Sequence, residues 1–223
     1  MRKSENDKSE RLISELNRLW NDRQDQVLIA ETVQSFKTRY DLNRKMTKEP
    51  GVEEILKQMF GRLANSFEKL SYIRNRKILG IASGSNTSKA PASLFIDTPF
   101  GKRTIGRASQ GYTAQFEPWF CRILFELGAQ PVGVDFGDLE SEVFEHYRVD
   151  LGKIGALDFL PEHSFDAVQD SRLFGSPEFT AQFPNRVDRS KIAQEIKRQE
   201  QRLLKASGIV IHSDAEAFDS ERV

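Results

Sequence analysis

The apolar residues of this chain change their spacing near position 77. Before that point they recur every three or four residues, which predicts amphipathic helices that pack on one another. The clearest stripe covers 52–70 and leaves Arg62 on its solvent-facing side. After that point the apolar residues come in short runs separated by turns or by helical segments, which is typical of buried strands. The pattern divides the chain into an N-terminal helical extension at 1–76 and an α/β unit at 77–223.

Five short runs predict the strands of the α/β unit, and most of them are apolar. Helical segments separate several of them, which favours right-handed crossovers and a mostly parallel sheet. One of these helices should begin near Pro118 and stop at Gly128, and another should cover 189–205 and be capped by Gly208. The runs are 78–82, 132–134, 146–149, 165–168 and 209–211.

A polar segment interrupts the unit after its first strand. Residues 86–110 are rich in Ser, Thr and Gly and contain two strand-like runs, 93–96 and 103–105, around a turn at Pro99. This arrangement predicts an inserted β-hairpin. The hairpin is either a simple exposed arm or a lid beside a pocket, because long insertions in compact domains are often functional. An alternative is that the hairpin extends the main sheet.

Two strand ends carry residues suited to a nucleotide. The first apolar run meets Ser83-Gly84-Ser85, and the run at 132–134 ends in Asp135. A glycine turn lets the backbone approach a ligand, and an acid at a strand end accepts hydrogen bonds from ribose hydroxyls. Because parallel strands end at a common edge, we expect Gly84 and Asp135 to lie side by side.

Charge and composition narrow the classes of function. Lys and Arg total 33 and Asp and Glu total 33, so no global charge indicates nucleic acid or an anionic membrane as partner. One cysteine, Cys121, excludes an intrachain disulfide framework, and no apolar run is long enough to span a bilayer. The three histidines lie far apart, so we expect no metal site. These features are typical of a cytoplasmic protein.

Five segments, in this order, resemble motifs of the class I S-adenosylmethionine-dependent methyltransferases. Together they cover about the C-terminal two thirds of the chain. The segments are Ile78-Leu79-Gly80-Ile81-Ala82-Ser83-Gly84-Ser85, Val132-Gly133-Val134-Asp135-Phe136, the stretch 146–151, Leu160-Pro161-Glu162-His163-Ser164-Phe165-Asp166-Ala167-Val168, and the stretch 203–211.

This resemblance implies a Rossmann-like fold and S-adenosylmethionine as cofactor, with a methyl acceptor that the sequence does not identify. In-line positioning can supply most of the catalysis of methyl transfer, so no catalytic triad is required. Asp170, at the end of the fourth strand, is the candidate base. Asp150 is the implied adenine-side acid, with Asp158 as its rival. The implied cofactor-binding residues are Gly80, Ser83, Gly84, Ser85, Asp135, Phe136, Asp150 and Leu151.

The chain also departs from the family pattern. Ala82 and Ser83 stand where an acid and the first glycine are usual, and two further strands usually follow the fifth. These departures keep a second hypothesis open, namely a non-catalytic methyltransferase-like module that binds a cofactor or another protein. A nicotinamide-dependent oxidoreductase is less favoured, because the turn lacks the G-x-G-x-x-G spacing.

Overall fold

The computed structural model describes residues 10–40, 52–84, 94–98, 101–105, 118–137, 139, 142–170 and 183–211. Within these ranges the chain forms seven strands. They are β1 Lys77–Ile81, β2 Leu94–Thr98, β3 Gly101–Ile105, β4 Gln130–Asp135, β5 Glu145–Arg148, β6 Phe165–Asp170 and β7 Leu204–Ile211.

Five of these strands make one sheet in the order β5-β4-β1-β6-β7, and every neighbouring pair is parallel. The order reverses beside β1, because the chain first adds β4 and β5 on one side and then β6 and β7 on the other. Parallel sheets with such a reversal bind ligands beyond the carboxyl ends of their strands. The predicted α/β, Rossmann-like fold is confirmed.

The helices flank this sheet on both faces. They are α1 at 10–16, α2 Arg23–Tyr40, α3 Val52–Ser66, a 3-10 turn Leu70–Ile73, α4 Trp119–Glu126 and α5 Arg186–Leu203. Helix α5 is preceded by its N-cap Asn185, whose side-chain oxygen accepts the N–H of Val187 at 2.9 Å. Helix α4 follows Pro118 and ends before Gly128, which adopts φ +80°.

Two hydrophobic cores lie on opposite faces of the sheet. The first joins α1, α2, α3 and α4 to Ile78 of β1 and Ala167 of β6. The second joins α5 and the segment 149–160 to Leu79 and Val168 of the same two strands. The N-terminal helices therefore share a core with the sheet instead of forming a core of their own.

The inserted hairpin has the predicted form. Strands β2 and β3 pair antiparallel with Thr98 opposite Gly101, so two residues connect them. They form a separate two-stranded sheet and do not extend the main one.

Several local predictions were wrong. Helix α5 ends at Leu203 and β7 begins at the next residue, so Gly208 lies inside a strand and caps no helix. A β-carbon at Gly208 would lie 2.8 Å from the Leu204 side chain, which shows how tightly the chain bulges there. Arg62 is 4% exposed, because the helices pack around more of α3 than one stripe.

Candidate functional site

The glycine turn and the acid meet at the carboxyl edge of the sheet. Strands β1 and β4 pair with Ile81 opposite Val134, so the chain leaves both strands at the same level. The N–H of Gly84 donates to Oδ2 of Asp135 at 2.9 Å, and the N–H of Ser83 donates to the carbonyl of Val134 at 3.1 Å. The acid predicted to bind a ligand thus also holds the turn in place.

The second oxygen of Asp135 organises the chain that follows it. Oδ1 accepts the N–H of Gly137 at 2.7 Å, which turns the backbone sharply after the strand. The carbonyl of Asp135 accepts the N–H of Val149 at 2.8 Å and so ties this turn to the end of β5. Burial raises the pKa of Asp135 above its usual range, and the N–H groups of Gly137 and Gly84 act in the opposite direction.

The turn after β1 contains two residues in the left-handed region. Gly84 has φ +98° and Ala82 has φ +52°. Glycine takes such angles freely, whereas an alanine there carries strain of about 1–2 kcal/mol because its β-carbon crowds the next carbonyl. Ala82 therefore holds a backbone conformation that a glycine would adopt without strain.

Beneath the turn lies a floor made of small residues. Gly80 of β1 is paired with Gly133 of β4, and the Sγ of Cys121 on α4 lies against both. A β-carbon on Gly80 would approach that sulfur to 2.8 Å. The Ser83 hydroxyl also faces down, 3.5 Å from the carbonyl of Val134, and Ser83 is 5% exposed.

Gly80 and Ser83 thus support the turn from below, whereas Gly84 lies at its surface. Burial raises the pKa of the Cys121 thiol, as expected of a packed cysteine and not of a nucleophile. Ser85 lies outside the described residues.

Phe136 forms an exposed rim next to the acid. Its side chain is 56% exposed, which is unusual for phenylalanine. Arg148 lies on β5 in register with Asp135, and its Nε donates to the Phe136 carbonyl at 3.0 Å. The centre of its guanidinium also lies 5.7 Å from the centre of the Phe136 ring.

The two rival adenine-side acids lie in different surroundings. Asp150 follows β5 at the edge that carries Asp135, where it accepts the N–H of Gly152 at 3.1 Å and faces Lys153 at 3.5 Å. Asp158 instead accepts a hydrogen bond from Gln199 on α5. This geometry favours Asp150 for a ligand at the edge. Leu151 is 5% exposed and packs into the second core, so its side chain supports the loop from within.

Asp170 ends β6 on the other side of β1. It pairs in register with Ile81, so it and Asp135 flank the end of β1 across two strand spacings, about 10 Å between backbones. The charge of Asp170 acts on Glu200 of α5, a residue that the sequence pattern did not single out. Burial, followed by the charge of Asp170, raises the pKa of Glu200 to about 7. The overlooked signal was its position four residues after Ile196, on the apolar face of α5.

Two surface cavities lie away from this edge. One of about 580 Å³ is lined by His163, Gln201, Leu204, Lys205, Ala206 and Gly208, and one of about 340 Å³ lies beside Glu195 on α5. Residues 85–93 and 106–117 lie outside the described ranges. The described part of the chain contains no group of three or more potential metal-binding side chains. It also contains no helix long and apolar enough to cross a membrane.

The carboxyl edge around β1 thus carries a rigid glycine turn, three aspartates and an exposed aromatic ring. A polar ligand that offers several hydroxyl groups and one flat apolar surface suits such an edge. Comparison with known proteins adds no relative, because no protein-family model matches this chain and no curated protein is significantly similar to it.

Proposed function

We propose that this protein is a methyltransferase that binds S-adenosylmethionine at the carboxyl edge around β1. The observation that carries the proposal is the hydrogen bond from the Gly84 N–H to the Asp135 carboxylate, at the edge of a parallel sheet whose order reverses beside β1. A bare backbone turn and a ribose-binding acid need to be neighbours if they are to hold one nucleoside.

Asp135 is suited to the ribose of the cofactor. Its carboxylate oxygens accept the N–H groups of Gly84 and Gly137, and a carboxylate has further lone pairs that can accept ligand hydroxyls. The existing hydrogen bonds fix the carboxylate before the ligand arrives, which reduces the entropy lost on binding. Phe136 and Asp150, on the far side of Asp135 from β1, would border the adenine.

The chemistry required of the chain itself is modest. When bound, S-adenosylmethionine would supply an electrophilic methyl group: the lone pair of the acceptor forms the new bond to that carbon, the carbon–sulfur bond breaks, and S-adenosylhomocysteine leaves as a neutral thioether. The protein has to align the acceptor and exclude water. Asp170, across β1 from Asp135, is positioned to orient the acceptor and to take its proton.

Binding measured by calorimetry tests this proposal. We expect S-adenosylmethionine and S-adenosylhomocysteine to bind and NAD not to bind. Asp135→Asn keeps one acceptor oxygen for the Gly84 turn but loses the charge, and should weaken binding about tenfold or more, since hydrogen bonds to charged groups contribute about 1.5–3 kcal/mol. Asp158→Asn is the matched control, because Asp158 contacts α5. Equal binding by Asp135→Asn and wild type, or no binding by wild type, would refute the proposal.

A second candidate function is a non-catalytic module that binds the cofactor without transferring its methyl group. The residues Ala82 and Ser83 favour it, because they stand where the motif of the resembled family has an acid and its first glycine. Incubation with methyl-labelled cofactor and a cell extract separates the two candidates. Label transferred to an acceptor, and lost in Asp170→Asn, supports the enzyme, whereas binding without transfer supports the module.

A further inference from the structure

We propose that Arg148 is a positioning residue that holds the ring of Phe136 as one wall of the purine subsite. This inference rests on the proposed function, because it concerns the same adenosyl site. It adds a residue whose place on β5 gave no signal in the sequence.

The contacts made by Arg148 converge on one neighbour. Its Nε donates to the Phe136 carbonyl at 3.0 Å, which fixes the backbone of that residue. Its guanidinium lies 5.7 Å from the ring centre, which restrains the side chain as well. The same arginine therefore controls the position of Phe136 at two points.

Phe136 needs such restraint because more than half of its side chain is exposed. Its side chain is 56% exposed and directly follows the acid that turns the chain at Gly137. An exposed phenylalanine on a turn samples several rotamers. It is confined to one of them when a flat ligand stacks on the ring, and the lost conformational entropy weakens binding. Arg148 reduces that loss by ordering the ring before the ligand binds.

The cross-strand register makes the arrangement specific. Arg148 is the residue of β5 opposite Asp135, so β4–β5 pairing sets its distance from both the acid and the ring. Its neighbour Tyr147 packs on Phe159 instead, with ring centres 5.0 Å apart. The alternation of side chains along the strand thus assigns one residue to the site and the next to the opposite face.

A double-mutant cycle with S-adenosylhomocysteine as the probe tests this inference. We expect Arg148→Met to weaken binding about three- to tenfold and to leave the thermal midpoint unchanged, since the side chain is exposed. In a Phe136→Ala background, where there is no ring to hold, Arg148→Met should change the affinity by less than about twofold. Arg11→Met removes an equal charge from α1 as a control and should bind like wild type.

The outcomes distinguish this inference from the proposal on which it rests. If wild type binds no S-adenosylhomocysteine, the proposed function fails and the inference fails with it. If wild type binds but Arg148→Met binds equally well, or if the two substitutions are additive, only the positioning role is overturned. Additive losses would show that Arg148 acts on the ligand directly.

Discussion

The substitution Glu200→Gln should make this protein more stable in alkaline solution while leaving it almost unchanged in acid. Glu200 is 8% exposed on α5, and its pKa is raised from 4.5 to about 7 by burial and then by the charge of Asp170. The cation of Lys197 acts weakly in the opposite direction. A glutamine keeps the shape of the side chain and cannot ionise.

The magnitude follows from the two pKa values. Below about pH 4.5 the carboxyl is protonated in the folded and the unfolded chain, so it has no effect on the pH dependence. Between that pH and about 7 the unfolded chain releases the proton and the folded chain keeps it, so stability is lost as the pH rises. Each tenfold change in proton affinity corresponds to about 1.4 kcal/mol. The free energy of unfolding therefore falls by about 3 kcal/mol in total over this pH range.

Urea unfolding of wild type and Glu200→Gln between pH 4.5 and 8.5 measures this difference. We expect the two free energies of unfolding to coincide near the acid end of the series and to diverge by about 3 kcal/mol above neutral pH. Glu195→Gln, on the same helix, is the matched control of opposite sign, because Arg198 lowers the pKa of Glu195 to about 2. That variant should lose stability at neutral pH. Parallel curves for wild type and Glu200→Gln would refute the reasoning.

Two further predictions concern the strand and turn around the candidate site. Ala82→Gly should stabilise the chain by about 0.5–1 kcal/mol, because relief of the strain at φ +52° exceeds the added entropy of a glycine in the unfolded state; an unchanged or lower thermal midpoint would contradict this. Gly80→Ala should destabilise it by about 1–3 kcal/mol by pushing against Cys121. Its control, Gly61→Ala in α3, meets nothing within 4 Å and should instead stabilise by about 1 kcal/mol in chemical denaturation. Equal effects of the two glycine substitutions would show that the close approach at Gly80 is unimportant.

The buried ion pair between Arg122 and Glu142 shows how the edge is supported from outside the site. Arg122 on α4 donates to Glu142 at 3.0 and 2.6 Å, and both side chains are almost fully buried. This pair fastens the segment after β4 to the helix that covers β1 and β4. A buried pair of this kind contributes little net stability but fixes one geometry, which suits a segment that begins with Phe136.

Much of the fold could be predicted because it depends on local patterns. The apolar runs located the buried strands of the sheet, since burial on both faces requires continuous apolar residues, and turn chemistry located the hairpin. Gly128 and Pro118 marked the ends of α4 because their backbone preferences act within one or two residues. The prediction for Gly208 was wrong because β7 starts immediately after Leu203, and only pairing with β6 determines that start.

The candidate site was predictable only in part. Gly84 and Asp135 could be paired from the sequence, because each follows an apolar run and parallel strands end at one edge. The roles of Gly80 and Ser83 as a floor could not, since they depend on Cys121 reaching the sheet from α4. The raised pKa of Glu200 was likewise hidden, because it results from burial against residues distant in the sequence.

Periodicity and turn chemistry act over a few neighbouring residues, so the amino-acid sequence alone indicated most of the strands and helices and paired Gly84 with Asp135 at one edge of the sheet. The face that each side chain occupies at the carboxyl edge of the sheet, and the residues that it contacts, depend on the tertiary structure. In the folded chain Ser83 is buried, Arg148 contacts Phe136, and Asp158 lies against α5 and not at the candidate site. Strand register and helix packing fix those contacts, and both depend on residues far apart in the chain.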